Sequence, residues 1–182
     1  MGRRPAARRR RRLDAADTVK LALIAVGRLK AGPERELVER YRERVDGMAR
    51  SLGFSPLEVA EIPESRARRE DERRNDEAAL ILSKAGAAKL IVFDERGTSP
   101  TSEAFTDRIR RWRDDGRETL PLVIGGPDGL DGSVRKQADM VVSFGALTLP
   151  HQLVRVLVVE QIYRTLTILS GHPYHRAGGD ET

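Results

Sequence analysis

Apolar positions along this chain fall into short β-rich runs separated by longer stretches with helical spacing. Val19 to Val26 (VKLALIAV) is β-branched and aliphatic and stops at Gly27, which predicts a first strand. From Pro33 to Ala49, Leu37, Tyr41, Val45 and Met48 share one helical face, with proline near the start and Gly53 just past the end. Leu57 to Ile62 reads as a second strand, ended by Pro63. A dense mixed-charge run from Glu64 to Glu77 leads into Ala78-Ala-Leu-Ile-Leu82, and the whole reads as a helix with a solvated front. Lys89 to Asp94 (KLIVFD) is a buried-looking third strand, followed by a loop from Glu95 to Pro100. Thr101 or Ser102 can cap a helix through about Asp115, with Phe105, Ile109 and Trp112 on one face. Thr119 to Ile124 and Met140 to Ser143 read as the fourth and fifth strands, with a short helix over about Ser133 to Ala138 between them. Alternating strands and helices of this kind predict a parallel α/β sheet covered on both faces. Such sheets bind ligands beyond the carboxyl ends of their strands, which singles out the loops after Asp94, Ile124 and Ser143.

The last helix, Gln152 to Leu169, departs from the amphipathic pattern. Leucine, isoleucine, valine and Tyr163 cover nearly its whole circumference, and Arg155, Glu160 and Arg164 are its only charges. A helix that is apolar all round is a buried one. Its internal charges, and the about 20 mostly apolar residues that a span requires, argue against a membrane segment. One face is expected to pack on the sheet and the other on a second copy of the chain, making a homodimer.

Composition changes this picture in one respect. The chain has 182 residues and a net charge of +5. Residues 1–17 hold seven arginines (Arg3, Arg4 and Arg8 to Arg12) against Asp14 and Asp17, leaving 26 basic and 26 acidic residues elsewhere. The basic balance therefore belongs to the tail, and any nucleic-acid surface on the domain must be local. The tail lacks the apolar stretch of a secretory signal and has the composition of a disordered segment. The expected organisation is a disordered tail over 1–17, one domain over 18–176 and a flexible extension over 177–182. Cysteine is absent, which removes disulfides and thiolate chemistry and suits a cytoplasmic protein.

Three segments carry the chemistry. Leu122-Val-Ile-Gly-Gly-Pro-Asp-Gly-Leu130 runs a strand into bare backbone that a ligand can approach closely. It lacks the lysine of a phosphate-binding P-loop and the order of a dinucleotide fingerprint, so alone it is a turn. Ser143-Phe-Gly-Ala-Leu-Thr-Leu-Pro-His151 is a second small-residue loop, with Thr148 or His151 available to serve the start of the helix that follows. The third segment, His172-Pro-Tyr-His-Arg176, places an imidazole pair beside a tyrosine and an arginine. That combination suits phosphate and base recognition, and with no acidic residue nearby in sequence no metal is expected there.

These three segments, in this order and around the apolar helix, resemble the RlmH family of SPOUT-class ribosomal RNA methyltransferases over roughly Val19 to Arg176. The resemblance implies a deep trefoil knot and a homodimer with an active site shared between subunits. It implies S-adenosylmethionine bound in a bent pose against Phe93, Gly125, Phe144, Gly145, Ala146, Leu147, Thr148 and Leu149. It further implies methyl transfer to N3 of a pseudouridine in 23S ribosomal RNA, on the assembled ribosome. Phe93 stands where leucine is more usual in the family and Gly145 where serine is. The chain also continues from Ala177 to Thr182, past the family's usual end.

In that chemistry N3 must lose a proton, so a base or an anion-stabilising group is expected. Arg155 and Arg176 are candidate phosphate or ring-anion partners. His172, Tyr174 and His175 are candidates for substrate docking and proton removal, and sequence does not rank the three. Two other classes compete. A ribosome-associated factor without catalysis would use the tail and local basic patches and have no cofactor pocket. A small hydrolase would need a G-x-S-x-G elbow, which is absent.

Overall fold

The five β-rich runs become five strands of one sheet in the computed structural model, which describes residues 18–174. The expectations for the tail over 1–17, for His175 and Arg176, and for the extension over 177–182 lie outside the described residues. The strands are β1 (Lys20–Val26), β2 (Glu58–Ile62), β3 (Leu90–Thr98), β4 (Thr119–Ile124) and β5 (Ala138–Val142). They run in the order β2-β1-β4-β3-β5, and every pairing is parallel. A parallel sheet must be covered on both faces, and this one is. Leu21, Leu23 and Ala25 of β1 point into one apolar core, while Ile24 and Val26 point into the other. The first core lies under α1 (Pro33–Ala49), α3 (Ser102–Asp114) and α5 (His151–Ser170). The second lies under α2 (Glu70–Ala85) and α4 (Gly132–Gln137).

Four local features differ from the sequence reading. The mixed-charge run is a loop up to Arg69, and α2 starts only at Glu70. Side chains from the helix hold that loop open: Glu77 Oε1 accepts the Ser65 N–H, and Asp76 accepts the Ser65 hydroxyl. Arg73 donates to the carbonyls of Ala67 and Arg68. The short helix and the fifth strand each lie one or two residues earlier than expected. At the start of α5 the cap residue is Pro150 with no side-chain hydrogen bond, so neither Thr148 nor His151 caps it.

The fourth difference bears on the site. β3 continues through the segment expected to be a loop, and both Phe93 and Thr98 pair with Val142. Residues 94–97 thus swing out and return, and Ser143 N–H donates to Thr98 O at 2.8 Å. Gly97 makes the return possible, because a Cβ there would stand 2.6 Å from the Val141 carbonyl oxygen. Replacing Gly97 by alanine should therefore cost about 2–3 kcal/mol, the upper range for overpacking, since rigid backbone cannot give way. Chemical denaturation of the variant measures that loss.

Candidate functional site

The carboxyl ends of β3, β4 and β5 open into a cleft of about 420 Å³, within the usual range for a small-molecule site. Its walls come from the three loops that the sheet rule singles out. Phe93 and Asp94 stand at the end of the apolar stretch of β3, Ile124 to Gly132 follow β4, and Phe144, Gly145, Leu147, Thr148 and Leu149 follow β5. His151 and Val154, from the first turn of α5, close the remaining side.

Bare backbone is required here. A Cβ on Gly125 would lie 2.8 Å from Leu130 Cγ, and one on Gly126 would lie 2.9 Å from Val26 Cγ1. The Phe93 ring is buried and stacks on Phe144, with centroids 5.5 Å apart and planes 8° apart, forming an apolar wall. The N–H groups of Ala146 to Leu149 have no hydrogen-bond partner among the described residues, so they are free to meet a ligand. A cleft with apolar and aromatic walls, glycine-width backbone and unpaired amides fits a nucleoside carrying an amino-acid arm. Seven of the eight cofactor candidates line it: Phe93, Gly125, Phe144, Gly145, Leu147, Thr148 and Leu149. Ala146 is exposed and does not line the wall. Leu147 lines the mouth with 82% of its surface exposed, which is unusual for a leucine.

The catalytic candidates fall elsewhere. Arg155 is 2% exposed and is not offered to a ligand. Its guanidinium donates to Glu61 Oε1 at 2.6 Å and to the carbonyls of Val26 and Gly27 at 3.3 and 2.9 Å. Glu61 Oε1 also accepts the Leu29 N–H at 2.8 Å. Arg155 thus pins the start of α5 to the carboxyl ends of β1 and β2, a structural role in place of the expected phosphate contact. A buried charge needs a partner, and the apolar face that carries Arg155 leaves these as the available acceptors.

His172 and Tyr174 lie past the far end of α5, whose 20 residues span about 30 Å. Neither lines the cleft that His151 helps to form. His172 Nδ1 accepts the Tyr174 N–H at 3.2 Å, which leaves Nε2 as the donor of the neutral ring. The Tyr174 ring packs on Tyr163 and under Arg164, and its hydroxyl donates to Glu160 Oε1 at 3.1 Å. Burial, then hydrogen bonding with Tyr41 and the Glu160 carboxylate, pushes the phenol well above its ordinary pKa of 10.0. In this arrangement Tyr174 keeps its proton at neutral pH and donates it in the hydrogen bond to Glu160.

Polar braces around the cleft were not legible in the sequence. Arg135 joins two of the loops, donating to Asp94 Oδ2 at 3.2 Å and to the Leu130 carbonyl. On the other side Arg73 grips Asp128 with two hydrogen bonds, of 2.6 and 3.0 Å. The guanidinium beside Asp128 holds its carboxyl below the usual range. A depressed carboxylate stabilises the fold above its unfolded pKa, so this grip is lost only as the pH falls through the lower, folded value. Glu77 shows the opposite shift, its carboxyl pushed up by burial. Its place beside Ala78 and Ile81 on the buried stripe of α2 was the one available signal.

Removing the Arg155 pin tests its structural role. Arg155→Ala should lower stability by about 2–3 kcal/mol, less than for a fully buried pair because Glu61 is partly exposed. Denaturant titration of the two proteins measures the difference. A variant as stable as the wild type would return Arg155 to the ligand-binding candidates.

Comparison with known proteins places the chain. The family described as "Predicted SPOUT methyltransferase" matches residues 19–175. The ribosomal RNA large subunit methyltransferase H of Methylobacterium nodulans is 59% identical over 160 residues, covering 87% of this chain and 98% of the relative. The protein of the same name from Bradyrhizobium sp. (strain ORS 278) is 54% identical, covering 87% and 99%. Among solved structures, a probable methyltransferase from Bordetella pertussis Tohama I aligns with 83% of this chain and 98% of its own, at 14% identity and a TM-score of 0.48.

Proposed function

The chain belongs to the SPOUT methyltransferase family, and on that premise we propose that it transfers a methyl group from S-adenosylmethionine to N3 of a pseudouridine in 23S ribosomal RNA. The observation that carries this reading is the glycine-walled cleft between the loops after β4 and β5, with its stacked aromatic wall and unpaired amides. When bound, S-adenosylmethionine supplies a methyl group on a positively charged sulfur, already activated for displacement.

The protein's task is then largely positioning. The loops Gly125–Gly129 and Phe144–Leu149 hold the cofactor, and Phe93, Ile124 and Leu130 keep water from its apolar parts. N3 of the uracil ring is a weak nucleophile while protonated, so proton removal or stabilisation of the ring anion is required. His172 and His175 are the groups proposed for the proton, with Tyr174 as a docking donor and Arg176 as the partner of a phosphate or of the ring anion. Reaching a base in folded RNA requires it to be unstacked or flipped into the cleft. The near-neutral domain suits recognition of a large surface by shape, and we take the substrate to be the assembled ribosome in the cytoplasm.

The same reading has the chain act as a homodimer, with each terminal segment completing the cleft of the partner subunit. The distance between His172 and the cleft of its own chain supports this. So do three exposed leucines: Leu147 at the cleft mouth, and Leu153 at 42% and Leu157 at 36% on α5. Among the described residues no helix is long and apolar enough to cross a membrane. The family's trefoil knot belongs to the reading too, and the close passage of Gly97 over β5 is consistent with it.

Labelled methyl transfer to ribosomes lacking the modification tests the function. Label should map to N3 of a pseudouridine in the large-subunit RNA. Cofactor binding without label would point to another RNA, and neither would favour a non-catalytic RNA-binding factor. Subunit sharing has its own test. A His175→Ala, Arg176→Ala double variant should lose turnover more than cofactor affinity, and a Gly125→Val variant should lose cofactor binding. Mixed and reassociated, the two should regain about a quarter of wild-type activity, because half of the dimers carry one intact site. No recovery above the two alone would place each site within one chain.

A further inference from the structure

Behind the cleft, α2 meets the glycine loop through Arg73, through Arg74, whose Nη1 donates to the Asp128 carbonyl at 3.5 Å, and through Glu77 one helical turn on from Arg73. Arg73 donates to Asp128 through Nε and Nη2, while its Nη1 donates to the carbonyls of Ala67 and Arg68 at 3.2 and 3.1 Å. One guanidinium therefore joins the β2–α2 connection, the helix and the loop after β4. Glu77, four residues on, is 3% exposed. Its Oε1 accepts the Ser65 N–H at 3.0 Å, while Oε2 is buried without a partner. That second oxygen lies 3.2 Å from where a Cβ on Gly126 would stand, so the carboxylate backs directly onto the loop. Neither Arg73 nor Glu77 lines the cleft.

The loop has little order of its own. Its internal backbone hydrogen bond is Gly129 N–H to Gly126 O at 3.0 Å, and three of its five residues are glycine. Glycine-rich backbone loses the most entropy on being fixed, so a loop of this kind is ordered by its surroundings. A paired, bidentate arginine–carboxylate contact fixes both position and angle. The Arg73–Asp128 contact acts on the one residue of this loop whose side chain carries a charge.

We infer that Arg73, with Glu77 behind it, is a positioning residue that sets cofactor affinity from outside the cleft by holding the Gly125–Gly129 loop in its binding shape. This rests on reading the cleft as the S-adenosylmethionine site. A loop already held in the bound shape saves the ligand the cost of ordering it, and that saving appears in affinity. The loop after β4 is held from α2 by Arg73 at Asp128, and it is tied to Asp94 of β3 by Arg135 through the Leu130 carbonyl.

The test uses the full chain and its Arg73→Ala, Arg73→Lys, Asp128→Asn and Arg73→Ala/Asp128→Asn variants. Affinity for S-adenosylhomocysteine is read by calorimetry, and amide hydrogen exchange is read without ligand. Arg73→Ala should weaken binding about tenfold by removing preorganisation. It should speed exchange at Gly126, Asp128, Gly129 and Leu130 while the amides of β1 and β4 stay protected. Lysine cannot reproduce the two-point grip and should rescue only in part. The double variant should bind no worse than the single ones, because they break one contact. A merely structural role would lower the melting temperature and leave the affinity of the folded protein unchanged. Unaltered loop exchange in Arg73→Ala would overturn the brace. Faster exchange with unchanged affinity would overturn its role in binding. If the wild-type protein itself binds no S-adenosylhomocysteine, the cofactor reading falls, and the exchange experiment still decides whether the brace exists.

Discussion

The buried guanidinium of Arg155 holds three elements of this molecule together. It ties the first turn of α5 to the β1 carbonyls and to Glu61 at the end of β2, on the edge of the sheet where the cleft opens. Because it does so, His151 and Val154 stand at the cleft and the rest of the helix must run back toward the amino ends of the strands. That direction decides what else is possible. It carries His172 away from the cleft of its own chain, and it leaves Leu153 and Leu157 exposed on the surface. A charge buried this deeply is tolerated only while its acceptors are in place, so the helix and the loops after β1 and β2 stand or fall together.

The cleft illustrates the opposite economy. Its walls are loops rich in glycine, which admit a ligand closely and supply little stiffness. Rigidity is brought from outside by charged contacts: Arg73 on Asp128, and Arg135 across Asp94 and the Leu130 carbonyl. The apolar side chains that shape the cleft, Phe93, Ile124 and Leu130, are extensions of the two cores under the sheet. Wall chemistry thus comes from the core and wall position from ion pairs, and a substitution in either can change binding without touching the ligand.

Much of this was legible before any coordinates. Strands as apolar as β1, β3 and β4 announce a doubly covered parallel sheet, and the rule about carboxyl ends then points to the loops that line the cleft. Phe93, Gly125 and most of Phe144 to Leu149 were named through family resemblance, and the geometry brings them together. What failed to show was the partner of each charge. The run from Glu64 to Glu77 reads as a solvated helix front because a mixed-charge segment looks the same whether its arginines meet water or a distant aspartate. The burial of Arg155 was hidden for a related reason: an arginine near a functional motif reads as a ligand contact until its surroundings are known. The return of β3 over β5 was hidden as well, since Glu95 to Pro100 has the composition of a loop and only the close approach at Gly97 shows why a strand fits there.

The terminal segment gives the sharpest reason to think of two chains. Within one chain Tyr174 is occupied: its ring lies on Tyr163 and under Arg164, its hydroxyl is given to Glu160, and its proton is held well beyond neutral pH. On the proposed reading this makes a docking platform, its aromatic and arginine preset by neighbours and not by the substrate. Tyr174 lines no part of the cleft that His151 and Val154 border, and its hydroxyl sits at Glu160, midway along α5. On the proposed reading, a second copy brings a cleft to it, and the exposed Leu147 at the cleft mouth becomes a contact between subunits. The exposed leucines on α5, a platform that lines no cleft of its own chain and the exposed Leu147 at the cleft mouth then have one explanation in common, whereas a monomeric enzyme would need a separate one for each.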